Sequence, residues 1–489
     1  MIPCSIDMYN SKLFISALVY LSISCSYELP EPLPPSILDA GTADFGRIAV
    51  LGGSQSAGFM DGALYMEGQS HSVGAILVNQ INQTSPESVV FQQPGINSLN
   101  GYNPAASAVD TRGKYFIKFI DPGSSQPFKD THSGEMPELY TGPAISNFSV
   151  PNLRSNQVMN PALSANPYYN RFASIPGTST LIDELLEYNP TLLFLEMGWD
   201  DILPYAVNGL TGDENGDPDQ LGPADLTPVE LFRSSLEQIM EDLITKTDAQ
   251  IIITNIPDVT AFPFFNSISP IAPINVNEAG LLQAFYRDYN LQVTRYNATA
   301  ETPRPVIQFF SDDPPNLWKV VVEDPTLPEI LLDDGSLLPK YRQMEDGEYV
   351  LWSVPQLPTA KGDGFGTFSP LHKSLFFTEQ DIVKIQESIQ EFNEIISELI
   401  VTNNRVHLLD CQQIFSRWAT EGIATDGVIH SYDFARTGIF SADGLTLNRR
   451  GSALMSNQVI DLINNIYGSN IQHADVNDFR GNEFVNDFD

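Results

Sequence analysis

Basic residues are scarce in this chain of 489: 25 Lys and Arg stand against 61 Asp and Glu, for a formal charge of −36. A field of that sign repels phosphate backbones and anionic membrane surfaces, which argues against nucleic-acid binding and for a solvated acidic surface. Cysteine is nearly absent, with three residues in all. Histidine numbers six, so chemistry that needs an imidazole has few places to come from. No repeat of 20 to 50 residues recurs, which excludes a solenoid or propeller. What is plentiful is apolar: 42% of residues are hydrophobic, enough for a large core in one big domain or two to three ordinary ones.

The first apolar run, "KLFISALVYLSISC", follows a single Lys12. It is too short to span a bilayer and closes on small residues before Cys25, the layout of a secretory signal. It resembles a bacterial lipoprotein signal, with "SISC" a relaxed lipobox whose leucine stands one place early. That resemblance makes residues 1–24 a signal peptide and Cys25 the lipid-attachment site; a plain signal peptide is the alternative. Met8 offers a second start, which would leave Cys4 outside the chain. Removal of residues 1–24 takes away Asp7 and Lys12, so the charge stays at −36. Cys411 is then the one remaining thiol, and a chain with so large a core needs no internal disulfide. The proline-rich, acidic stretch 25–43 reads as an extended tether.

Beyond it, "RIAVLGG" (47–53), "TLLFLEMG" (191–198), "AQIIITNIPD" (249–258) and "NRVHLLD" (404–410) are continuous apolar runs ending in Gly, Asp or Asn, as strands covered on both faces must be. Helical spacing of apolar residues marks 227–246, opened by a Thr-Pro cap signal, 378–400 behind Thr378, and 449–468. Alternation of this kind predicts an α/β fold with a mostly parallel sheet and helices on both faces. Chemistry in such folds collects beyond the carboxyl ends of strands, where Ser54, Asp200 and Asp201 all fall. Two stretches break the alternation: 85–145, rich in Ser, Asn, Gly and Pro, and 264–370, aromatic and Pro-rich. Both read as large insertions on the loop face, suited to a lid, a binding surface or a plain cover. Residues 469–489 form an acidic C-terminal tail with alternating Phe and Val, expected to be disordered or a docking peptide rather than part of the core.

From about Gly41 to Gly468 the sequence resembles the SGNH/GDSL hydrolase family, in a bacterial lipoprotein branch. The first block is "AGTADFGRIAVLGGSQSAGFMDGALYMEGQSHS", the second "NFSVPNLRSNQ" (147–157), the third "LEMGWDDILPYAVNG" (195–209) and the last "FSADGLTLNRRGSALMSNQVIDLIN" (440–464), in the family's order. "TNIPDVTAFPFF" (254–265) and "SIQEFNEII" (388–396) resemble its framework segments. The resemblance implies a three-layer, flavodoxin-like α/β/α body over residues 44–468, with Ser54 in the nucleophile's place and its N–H in the oxyanion hole.

The family's catalytic set is incomplete here. Three residues after the acid the family has a histidine as base; here Asp443, Gly444 and Leu445 lead to Thr446. Ser54 and Asp443 are therefore remnants, because removing the base of a serine triad costs on the order of 10⁶ in rate. The family's Gly-x-Asn-Asp reads Gly198, Trp199, Asp200, Asp201, so an amide donor has become a carboxylate, and losing one such donor costs on the order of 10² to 10³. A family glycine reads as Asn152, the mildest change, since Asn tolerates positive φ and keeps its backbone donor. His430, near Asp443 in sequence, and His71, one helix-length after Ser54, are the candidate substitute bases; His132, His372, His407 and His473 have no motif around them, and His407 reads as a packing residue. Converged, Ser54, Asn152, Asp200, Asp443 and Thr446 would make a site of two carboxylates, two hydroxyls and no cation, suited to a cationic or hydroxyl-rich small ligand.

The loop 210–225 places Asp213, Asn215, Asp217 and Asp219 at the alternate spacing of a calcium loop. Pro218 stands where the turn glycine belongs and Ala224 where the closing carboxylate belongs, so it reads as a solvated acidic loop. No metal or cofactor is expected. The sequence thus implies a lipid-anchored outer-membrane protein with an SGNH-like body and a degenerate site. Its role is that of a non-catalytic accessory or ligand-binding subunit, with an outer-membrane protein as partner. Two alternatives stay open: an active esterase or lipase acting on acyl or acetyl esters through Ser54, and a surface glycan-binding protein.

Overall fold

The computed structural model describes residues 39–84, 88–102, 113–121, 124–129, 134, 138–218, 220–272, 274–353, 365–401, 403–425 and 427–485. The signal and lipidation assignments, Cys25 included, together with His132 and Asp219, lie outside the described residues.

The four apolar runs form four strands, Ile48–Leu51, Leu192–Leu195, Gln250–Thr254 and Val406–Leu409, side by side in chain order as one all-parallel sheet. Burial is the reason: every side chain of the first two strands is buried, and each large aliphatic residue so placed contributes about 1.5–3 kcal/mol. On the open side of Ile48–Leu51 a fifth segment runs parallel to it. Val50 N–H bonds Ser146 C=O at 2.9 Å, Phe148 N–H bonds Val50 C=O at 2.7 Å and Val150 N–H bonds Gly52 C=O at 3.0 Å. Read across the sheet, the second segment in the chain therefore lies outside the first, and the third lies on the first one's other side.

Helices flank this sheet. Val229–Lys246 packs on Glu379–Val401, where Phe232 stacks on Phe392 with ring centroids 4.2 Å apart. Val73–Thr84 packs on Arg449–Tyr467, and Ser456 on the latter donates to the Val73 carbonyl at 3.0 Å. Thr378 caps its helix as expected, accepting from Asp381 N–H at 3.1 Å while its own N–H goes to the Asp381 carboxylate. Thr227 does not cap: Pro228 precedes the helix without a side-chain cap, and Thr227 instead donates its backbone N–H to the Asp201 carbonyl at 3.2 Å.

Three boundaries differ from the sequence reading. Asp39 to Ala43, assigned to the tether, belong to the body: Thr42 N–H bonds Tyr467 C=O at 2.9 Å, and Asp39 exchanges two hydrogen bonds with Asn470. The tail is likewise built in. Ala474 and Val476 are buried in the main core, Asn457 pairs with both backbone groups of Ala474, and Phe484–Val485 adds a parallel strand to the hairpin Tyr115–Asp121/Ser124–Lys129. The strand is only the consecutive pair Phe484 and Val485, too short for a period-two pattern to mark it among the acidic residues. That hairpin gives the first insertion a regular element. The second insertion has a core of its own, with Ile307, Phe309, Trp318 and Val321 fully buried, built on helices Val276–Phe285 and Arg287–Asn297 and the antiparallel pair Val321–Glu323/Tyr341–Gln343. It begins after Phe264 and Phe265, which pack in the main core. Arg342 links its loops through buried 2.6 Å ion pairs to Asp324 and Glu348.

Candidate functional site

The first strand ends in Gly52-Gly53 and turns at once into the four-residue helix Ser54–Ala57. The third parallel segment, Leu192–Leu195, ends in Glu196, Met197 and Gly198. Gly198 takes φ 98° to start the helix Trp199–Val207, which carries Asp200 and Asp201 in its first turn. The fifth segment ends at Asn152. Three chain turns thus meet at one end of the sheet, where the chain leaves the first strand for opposite sides.

Glycine at 53 is a steric requirement. A Cβ there would come within 2.1 Å of Asp200 Oδ2. Through that gap the Asp200 carboxylate reaches the serine: Ser54 N–H donates to Oδ2 at 2.8 Å, and the Ser54 hydroxyl lies 3.0 Å from Oδ2 and 3.2 Å from Oδ1. Asn152, at φ 60°, keeps the positive φ expected of a glycine replacement, and its N–H donates to Ser54 Oγ at 3.0 Å. Ser54 and Asp200 are both buried. Burial pushes the Asp200 carboxyl up to about 6, against the lowering effect of its bonds to Ser54.

Asp443 and Thr446 form a separate closed turn. The Asp443 carboxylate accepts from Leu445 N–H, Thr446 N–H, the Thr446 hydroxyl and Gly62 N–H, each at 2.8 Å. An acid so employed cannot also orient a base. The turn touches the Ser54 helix through Gln55, whose side-chain Oε1 accepts from Leu447 N–H at 3.2 Å. Of the five residues expected to converge, Ser54, Asn152 and Asp200 are joined by direct hydrogen bonds, while Asp443 and Thr446 bond to each other and not to Ser54.

Among the described residues no histidine substitutes for the base. Among the described residues the hydrogen-bond partners of Ser54 Oγ are Asp200 and Asn152. His71 Nδ1 lies 2.8 Å from the Glu67 carbonyl and its ring packs on Phe479. His430 is buried in the short strand Val428–His430. His372 accepts from Ser374 N–H, His473 pairs with Asp461, and His407 is half-buried, edge-on to Tyr467.

Two further carboxyls shape the site and were not singled out from the sequence. Glu196 accepts from Ser56 N–H at 3.0 Å, bonds the Gly53 backbone, and is pushed up to about 8 by burial, with the Asp200 charge adding to it. A lone acid inside "LLFLEMG" was the available signal, since a charge in a doubly covered strand end needs a partner. Asp61, at φ 54°, accepts from the Tyr65 hydroxyl at 2.6 Å and Ala442 N–H at 2.8 Å, and burial pushes it up to about 6. It staples the first block to the last. Beneath the Ser54 helix lies a cavity of about 20 Å³ lined by Ser56, Glu196, Thr254 and Cys411 among others.

Asp201 is fully buried and takes Ser155 N–H and its hydroxyl, the latter at 2.8 Å, fixing the second block under the third. In the acidic loop, Asp225 accepts from Asp213 N–H and Gly222 N–H, and the Arg154 guanidinium binds the carbonyls of Gly222, Pro223 and Asp225. Among the described residues no group of three or more His, Cys, Asp or Glu is arranged to hold a metal ion, and no helix is long and apolar enough to cross a membrane.

Against known proteins, no family model matches the chain and no curated protein matches it in sequence.

Proposed function

We propose that this chain is a lipid-anchored, outer-membrane protein with an SGNH/GDSL hydrolase-like body whose serine site no longer catalyses, serving as an accessory or ligand-binding subunit. The order of parallel segments, with the second outside the first and the third, fourth and fifth on its other side, is the flavodoxin-like order 2-1-3-4-5, and Ser54 lies at its switch point. That order supports the three-layer reading of the fold. The resemblance of the four sequence blocks supports the family, and the meeting of Ser54, Asn152 and Asp200 at one strand end is what such a family member requires.

The loss of activity rests on one observation. The seryl oxygen donates to a carboxylate and accepts from a backbone N–H, with no imidazole bonded to it among the described residues. A serine triad uses an oriented imidazole to take the hydroxyl proton and hand it to the leaving group; Asp200, bonded to the Ser54 N–H as well as its hydroxyl, instead occupies the donor that would stabilise a developing oxyanion. The excess of acid residues favours a cationic or hydroxyl-rich small ligand, and the folded second insertion supplies a surface on which a membrane protein partner can dock.

Turnover of an activated short-chain ester, compared with Ser54→Ala, tests the site. Equal background rates are expected, with no labelling by a fluorophosphonate. Hydrolysis that vanishes with the hydroxyl would restore the esterase reading. Labelled fatty-acid incorporation that is lost in Cys25→Ala tests the anchor, and isolation from membranes with a stoichiometric partner tests the accessory role.

A further inference from the structure

The second insertion carries a cleft of about 340 Å³, within the range of about 300–1,000 Å³ usual for small-molecule sites. Three segments wall it. Glu323 and Asp324 run between two neighbours, Glu323 N–H bonding the Leu371 carbonyl and Asp324 N–H the Lys340 carbonyl, each at 2.8 Å. The third wall is the hairpin that pairs Leu331 with Leu337. Arg304 clamps its two feet: this buried guanidinium donates to the carbonyls of Pro328 and Pro339. The cleft is therefore held open by the fold itself, and a ligand need not order its walls.

The cations lining it are spent on that scaffolding. Lys340 Nζ donates to the Pro325 carbonyl at 3.0 Å and stays 3.9 Å from Glu329. Lys373 Nζ is taken by the Gly209 carbonyl at 2.7 Å and the Asp381 carboxylate at 3.0 Å. His372 Nδ1 accepts from Ser374 N–H at 3.3 Å. The acids are not so engaged. Glu323 is exposed, and among the described residues no cation or donor bonds its carboxylate; Glu329, also exposed, has only the loose pair with Lys340. Leu337 and Leu338 give the same cleft an apolar side. An anionic ligand would meet two carboxylates with both lysines already bonded. A divalent metal is no better match, because among the described residues no three His, Cys, Asp or Glu are arranged to hold one. A single positive charge on an apolar body fits both features, since an ammonium makes charge-assisted hydrogen bonds to carboxylates.

We infer that this cleft binds a small organic ammonium ion, its charge facing Glu323 and Glu329 and its apolar body against Leu337 and Leu338. The site shares no residue with the serine turn and stands whether or not Ser54 catalyses.

Binding of 4-phenylbutylammonium to the full chain at physiological ionic strength, followed by ligand-observed saturation transfer, tests the site. The same apolar body is supplied in anionic form by 4-phenylbutyrate and in neutral form by 4-phenylbutanol. The ammonium is expected to bind about tenfold more tightly than either. Glu323→Gln/Glu329→Gln should weaken it about tenfold, and Leu337→Ala about threefold. Glu387→Gln/Glu391→Gln removes the same charge from the exposed face of the helix Glu379–Val401 and should leave the affinity unchanged. All four substituted acids are exposed, so these variants keep the fold. Equal affinity for the three compounds, equal weakening by the two double variants, or no binding in the millimolar range overturns the assignment. So does binding that is lost in Asp200→Asn and kept in Glu323→Gln/Glu329→Gln, which would place the cation at the serine turn.

Discussion

Glu196→Gln offers the most direct check on how the strand-end carboxyls are held. Burial raises Glu196 from 4.5 to about 8, so the folded chain keeps a proton that the unfolded chain releases above pH 4.5. Stability contributed by this group is thus full at low pH and falls as pH rises through the window from 4.5 to 8, with no further change above it. Over that window of 3.5 pH units the loss is about 5 kcal/mol, at about 1.4 kcal/mol per unit. Glutamine has nearly the same shape and cannot ionise. It accepts through one oxygen, where the carboxyl serves the Ser56 and Gly53 backbones, so one bond worth about 1 kcal/mol is given up. The variant should therefore be nearly as stable as the parent at pH 5, where the ionisation term already offsets about 0.8 kcal/mol of the lost bond, and about 3–4 kcal/mol more stable at pH 8. Denaturant unfolding of both proteins from pH 5 to 9 measures the difference, and Asp200 and Asp61, common to both, largely cancel. Parallel stability curves, with no crossing between pH 5 and 8, would refute the argument that Glu196 is held neutral by burial.

Three other perturbations follow from the packing. Gly53→Ala places a methyl 2.1 Å from Asp200 Oδ2 and should cost about 3 kcal/mol, read as a lowered unfolding midpoint; a neutral result would mean the turn and the carboxylate are not in contact. Arg342→Leu leaves Asp324 and Glu348 buried without their cation and should cost about 3–5 kcal/mol, with new proteolytic cleavage confined to residues 268–377. Deleting residues 472–489 uncovers the seat of Ala474 and Val476 and unpairs Asn457, a loss of about 3–5 kcal/mol measurable by thermal unfolding.

Much of the frame was legible because doubly covered strands must be continuously apolar. "IAVL", "LLFL" and "IIIT" could be found without any knowledge of partners, and they form the parallel sheet. The positive φ of Asn152 was legible for a similar reason: few residue types tolerate it. The fifth sheet segment, 146–150, was not, since "SNFSV" makes its ladder with only alternate backbone groups and is mostly polar, with Asn147 held by the Ser56 carbonyl at 3.1 Å. Nor was the role of Asp443, whose motif position suggests an orienting acid while its oxygens hold Gly62 and Thr446.

The sequence by itself determined the covalent facts of the site: a serine at a glycine turn, a carboxylate where an amide was expected, and no histidine three residues after Asp443. Those are choices of residue type, and no folding can supply an imidazole that a position lacks. Only the tertiary structure decided where the carboxylates spend their lone pairs. Hydrogen bonds between positions such as 54 and 200, or 62 and 443, join segments separated by more than a hundred residues, and burial, which sets their protonation, exists only once the sheet has closed over them.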